Sequence, residues 1–128
     1  MNEQLANTET TTESAGNCDV TEQWFGRIVI LSASGDVDML GAPRLQEAIN
    51  SALSQAPTGV VVDFTNVDFL ASAGMGVLVA AHDEKPPTID FCIVADGAAT
   101  SRPLKLVGIA DIIKVYATRD EALADLSA

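Results

Sequence analysis

The sequence predicts an α/β domain with a single mixed β-sheet of four or five strands and about four α-helices packed on it. Three observations lead there. The runs Val60-Val61-Val62 and Phe91-Cys92-Ile93-Val94 are apolar without alternation, as in interior strands covered on both faces. A helical segment lies between these two runs, so they are expected to be parallel and joined by a right-handed crossover. Two earlier strand-like segments are separated only by Phe25-Gly26, a spacing that suits an antiparallel hairpin.

Residues 1–16 differ in composition from the rest of the chain. They are dominated by Thr, Glu, Asn and Ala, with no aromatic residue and no Val, Ile or Phe. Such a segment cannot bury enough apolar area to offset its ordering entropy, and it reads as a disordered acidic tail before a domain over residues 17–128. Cys18–Trp24 and Arg27–Ala33 form the hairpin strands, and Gly35-Asp36-Val37-Asp38 ends the second of them. Pro43 then suits the first turn of a helix, whose inner stripe is Leu45, Ala48, Ile49, Ala52 and Leu53. A strand over Gly59–Phe64 leads through a short turn into a helix running from Ser72 towards Asp83, followed by a strand over Ile89–Ala95. Pro103 and Gly108 bracket a short helix through Leu104, Leu106 and Val107, and Ile113–Ala117 is the last strand. Thr118-Arg119-Asp120-Glu121 matches a capping box and opens a closing helix with Ala122, Leu123 and Leu126 on its inner side.

The chain has 128 residues, 48% of them apolar, enough for one core and one domain. Its formal charge is −11, with only seven Lys and Arg, which argues against binding nucleic acid or an anionic membrane surface. From residue 24 onward thirteen acids face seven bases, so the folded part is less acidic, at −6. No apolar run approaches the roughly 18 residues of a membrane span, and the N-terminus lacks a basic-then-apolar signal pattern. A soluble, cytoplasmic protein is expected. Cys18 and Cys92 show no metal-ligand spacing and read as reduced structural residues. No cofactor is expected.

Ser72 is the residue that carries functional information. At a helix N-cap it would sit where backbone N–H groups lack intrahelical partners and the macrodipole is positive, a setting that favours an anion. Gly74 and Gly76 remove side chains nearby, so a phosphoryl group or a partner's backbone has room to approach. Autonomous catalysis does not fit. Leu70 stands where a nucleophile elbow needs glycine, and His82, the only histidine, lies ten residues along the same helix, about 15 Å away. Val79 replaces the third glycine of a dinucleotide fingerprint, and no Walker lysine follows. Asp36 and Asp38 read as a turn and helix-entry pair accepting backbone hydrogen bonds rather than as a metal pair.

Gly35-Asp36-Val37-Asp38, Asp63, and Val67-Asp68-Phe69-Leu70-Ala71-Ser72-Ala73-Gly74-Met75-Gly76-Val77-Leu78 together resemble the two signature segments of the STAS domain as found in bacterial anti-sigma factor antagonists. The order of elements from Cys18 to Leu126 fits the same family. The resemblance implies a STAS-like fold and a regulatory binding protein, not an enzyme. It implies an anti-sigma factor kinase as partner, which phosphorylates Ser72, and a serine phosphatase that reverses the modification. Asp36, Asp38, Ala71, Ser72, Ala73, Gly74 and Met75 are the partner-binding residues it implies, with sigma factor released when the unmodified chain docks. One residue departs from the family pattern: Ala71 stands where many members carry Asp before the serine. Ala73 leaves Ser72 as the single target. A monomer or weak dimer is expected. The alternative within the resemblance is a STAS-like accessory subunit of a transport ATPase.

Overall fold

The structure is a computed structural model that describes residues 17–127. The acidic tail expected over residues 1–16 lies outside the described residues. Strands β1 (Cys18–Phe25) and β2 (Ile28–Val37) form an antiparallel hairpin whose last pair is Phe25 and Ile28. The turn is therefore Gly26-Arg27, one residue later than Phe25-Gly26. Gly26 has φ +61°, the left-handed geometry that the first central residue of a two-residue type II′ loop requires. That requirement shifts Phe25 into the strand.

Strands β3 (Gly59–Leu70), β4 (Asp90–Val94) and β5 (Lys114–Tyr116) follow β2 in parallel, and the sheet order is β1-β2-β3-β4-β5. Helices α1 (Ala42–Leu53), α2 (Ser72–Glu84) and α3 (Ser101–Leu106) cover one face, together with a 3-10 turn at Ile109–Asp111. Helix α4 (Arg119–Ser127) covers the other. The apolar runs now have their reason. Val60 and Val62 pack beneath Leu45, Ile49, Leu78 and Leu104, while Val61 faces Ala122, Leu123 and Leu126 with Cys92 and Val94. Both faces of β3 and β4 are buried, so neither strand alternates.

Two strands run further than their local sequence indicates. β2 continues past Ala33 to Val37, and β3 continues past Phe64 to Leu70. The stretches Ser34-Gly35-Asp36 and Thr65-Asn66-Val67-Asp68, mostly polar, resemble turns, but two register shifts, between Ser32 and Ser34 and between Gly35 and Asp36, let the pairing resume beyond them. β4 and β5 are each a residue shorter at both ends than expected.

The capping box forms as its residues indicate: Glu121 N–H donates to Thr118 Oγ1 at 3.2 Å, and Thr118 N–H donates to Glu121 Oε1 at 3.2 Å. This places Arg119 at the first helical position of α4, where its Nε donates to Asp63 Oδ2 at 2.6 Å and its Nη2 donates to Ser32 Oγ at 2.6 Å. Asp63 is 5% exposed at its side chain and lies in the middle of β3. Burial alone would raise its pKa, but hydrogen bonds from Arg119 and Thr65 outweigh that and hold the carboxyl below the ordinary carboxylate range. One ion pair thus fastens α4 to two central strands.

Replacing Arg119 with Ala leaves a buried carboxylate without its cation. The expected loss is about 2–3 kcal/mol of stability, toward the low end for a buried pair because the guanidinium is partly exposed. Because the folded pKa of Asp63 is depressed, its contribution is complete above the unfolded value of about 3.9 and is lost as pH falls through the folded value. Urea unfolding of the wild type and Asp63→Asn from pH 7 downward checks this; the wild type's advantage should shrink only below about pH 4.

Cys18 and Cys92 are both free and buried, on strands with β2 and β3 between them. Three inter-strand steps alone separate them by at least about 14 Å, twice the reach of a disulfide, and the register offsets them further along the strands. Burial pushes the Cys92 thiol up to about 12 and also raises Cys18. Native protein at pH 8 should resist alkylation at both thiols until denaturant is added, with intact mass as the readout.

Candidate functional site

The parallel strands all deliver their carboxyl ends to one edge of the sheet, and two of the connections there lie side by side. Asp36 is registered with Phe69 and Val37 with Leu70, so the β2–α1 loop meets the β3–α2 junction. Ala71 N–H donates to Val37 O at 3.0 Å and closes the gap between them.

Only Ala71 separates β3 from α2. It has φ −90° and ψ 170°, and its carbonyl accepts from Met75 N–H at 3.1 Å, the geometry of an N-cap. Ser72 is therefore the first helical residue and not the cap, and no side chain caps this helix. The cause is β3: its pairing with β2 persists to Leu70, which leaves a single residue for the change of direction. Ser72 is exposed, and its hydroxyl is not tied to the helix amides. An acyl or phosphoryl acceptor at this position is available without breaking a cap.

Gly74 sets the depth at which α2 sits. A Cβ there would lie 2.5 Å from Val37 Cγ1 and 2.9 Å from both Leu70 Cδ1 and Val37 O. The residue is buried, so it contributes to the surface by positioning Ser72 rather than by being touched. Ala71, Ala73 and Met75 are half-buried, and Met75 packs against the core. Asp38 Oδ1 accepts from Leu40 N–H at 3.0 Å and from Gly41 N–H at 2.9 Å, which shapes the loop entering α1. Asp36 is half-buried beside it on β2. The sequence-derived site residues thus come together, but in different roles: Ser72 faces solvent, Gly74 supports, and Asp38 holds its own loop.

Three residues escaped the sequence reading. Met39 is 78% exposed, Leu40 63% and Phe69 54%, and all three flank the junction that carries Ser72. They lie on the two connections that meet there, and exposed large apolar side chains on such loops are a feature of protein-contact surfaces. The signal was there. Met39-Leu40 follows directly on Asp38 in a loop, and Phe69 stands beside exposed Asp68 where an outward strand position would ordinarily be polar.

Ser72 and His82 occupy opposite ends of α2, with Nδ1 of His82 buried and lacking a hydrogen-bond partner among the described residues. Among those residues no three His, Cys, Asp or Glu side chains converge as metal ligands do. No helix of the described residues is long and apolar enough to cross a membrane.

The STAS domain family model matches residues 21–122. The chain is similar to anti-sigma-F factor antagonist RsfB of Mycobacterium tuberculosis, 33% identical over 96 residues that cover 75% of this chain and 79% of RsfB. Its structure resembles that of an anti-sigma factor antagonist from Mycobacterium paratuberculosis, with a TM-score of 0.85 and 30% identity over 91% of this chain and all of the other. SpoIIAA in its unphosphorylated form shares the fold, with a TM-score of 0.71 at 18% identity over 85% of this chain and 96% of that one. The match across the whole sheet, from β1 to α4, and the two segments that meet at Ser72 agree: this chain belongs to the STAS domain family, within its group of anti-sigma factor antagonists.

Proposed function

We propose that this chain binds an anti-sigma factor of the serine kinase type through the surface around Ser72, releases the sigma factor held by that partner, and is switched off by phosphorylation of Ser72. The observation that carries the reading is an exposed serine at the first position of α2, at a junction whose two adjoining connections also carry the exposed apolar residues Met39, Leu40 and Phe69. Relatives named anti-sigma factor antagonists support the class of partner.

The physics of the switch is simple. Unmodified, Met39, Leu40 and Phe69 bury apolar area against the partner and Ser72 contributes one small polar group to the contact. Phosphorylation adds about −1.5 to −2 charges there. An acid of the partner about 6 Å away then costs about 3 kcal/mol per unit charge at an effective dielectric near 20, roughly a hundredfold in affinity. Within this chain the same charge lies at a helix N-terminus, where the dipole favours it, so the fold is retained while binding is lost. A serine phosphatase restores the binding form.

Ser72→Ala removes no cap, so it should change stability by less than about 0.5 kcal/mol and still bind the anti-sigma factor. Ser72→Glu should keep its melting temperature and bind at least tenfold more weakly, since charge enters the contact centre while suiting the dipole. Calorimetric titration with melting curves separates these effects, and equal affinity for all three proteins would sink the switch. Incubation with ATP and the anti-sigma factor should add one phosphoryl group to the intact mass of the wild type and none to Ser72→Ala.

A further inference from the structure

Nothing among the described residues requires glycine at position 76. Among the described glycines, Gly26, Gly35, Gly97 and Gly108 have positive φ, and a Cβ at Gly35, Gly41, Gly59 or Gly74 would meet another atom at 3.0 Å or less. Gly76 shows neither property: its φ is ordinary, and a Cβ built on it meets nothing within 4 Å. It lies inside α2, four residues after Ser72, and is exposed. Proline apart, glycine is the least favourable residue in a helix interior, so this position destabilises the helix without any packing gain inside the chain.

We infer that Gly76 is a contact residue for the anti-sigma factor, where the partner's main chain presses directly on the backbone of α2. This rests on the function proposed above and extends the docking surface one turn beyond Ser72. Residues four apart share one side of a helix, and the rise between them is about 6 Å. Ser72 opens α2 at the junction where the β2–α1 loop meets the end of β3, so a partner docked across Ser72 lies one helical turn from Gly76. A methyl group at 76 fits within this protein and collides only with a partner. The position therefore selects for a partner segment that packs flat against α2, and bulk there excludes it.

Gly76→Ala reads out both sides at once. Stability should rise, with the melting temperature up by about 3–6 °C, because a helix former replaces glycine in open space. Affinity for the purified ATP-binding anti-sigma factor encoded in the same genome should fall at least tenfold. Asp83→Ala, on an exposed position two turns further along α2, serves as the control and should bind as the wild type does. A melting temperature that falls would show that the space at 76 is not free and would overturn the inference. Raised stability with unchanged affinity would overturn it too, while leaving the proposed function standing. If the wild type itself fails to bind, the proposed function falls and the inference with it.

Discussion

The seat of α2 on the ends of β2 and β3 is a constraint of one methyl group. At Gly74 the helix backbone lies so close to Val37 and Leu70 that a Cβ would be 2.5 Å from one and 2.9 Å from the other. Interiors are packed at the density of organic crystals, so such a contact has no slack. The position of Ser72 is a consequence of it. With α2 lowered onto the strands and Ala71 bonded to Val37, the exposed serine stands on the first turn, directly after the end of β3. The whole surface depends on the β2–β3 pair continuing through two register shifts to Leu70.

The far side of the sheet is held differently. Apolar residues Ala122, Leu123 and Leu126 place α4 on its face, but orientation comes from Arg119, which reaches Asp63 and Ser32 across β3 and β2. A charge-assisted pair has a defined geometry that apolar packing lacks. The same strand, β3, thus carries the ion pair on one face near its middle and the junction to Ser72 at its end. Its central location between β2 and β4 makes it the element through which both layers are aligned.

The two glycines of α2 show opposite uses of a missing side chain. Gly74 is buried and serves the fold; Gly76 is exposed and serves none of its contacts. Open α/β sheets gather their binding groups at the carboxyl ends of the strands, because loops there are free to vary while the layers behind them stay packed. Here that end of the sheet presents an exposed serine and, on the adjoining connections, three exposed apolar side chains. Such a surface suits a protein partner better than a small molecule, which needs enclosure for most of its area.

Local chemistry determined a good part of this protein from sequence alone. The unbroken apolar runs of β3 and β4, the helical stripe of α1, the capping box at Thr118 and the bracketing of α3 by Pro103 and Gly108 all appear where their residues indicate. Each depends on neighbours within about four positions, the range over which side chains meet along a helix or alternate along a strand. The start of α2 near Ser72 was legible for the same reason. Only the tertiary structure decided the rest. The stretches 34–36 and 65–68 stay in the sheet because Ser34 pairs with Asn66, Gly35 with Val67 and Asp36 with Phe69, which no local pattern reveals. That extension moved the N-cap to Ala71, pressed Gly74 against Val37 and Leu70, and set the β2–α1 loop beside the start of α2. Arg119 and Asp63 are 56 residues apart in sequence, and their pairing exists only once α4 lies across the sheet.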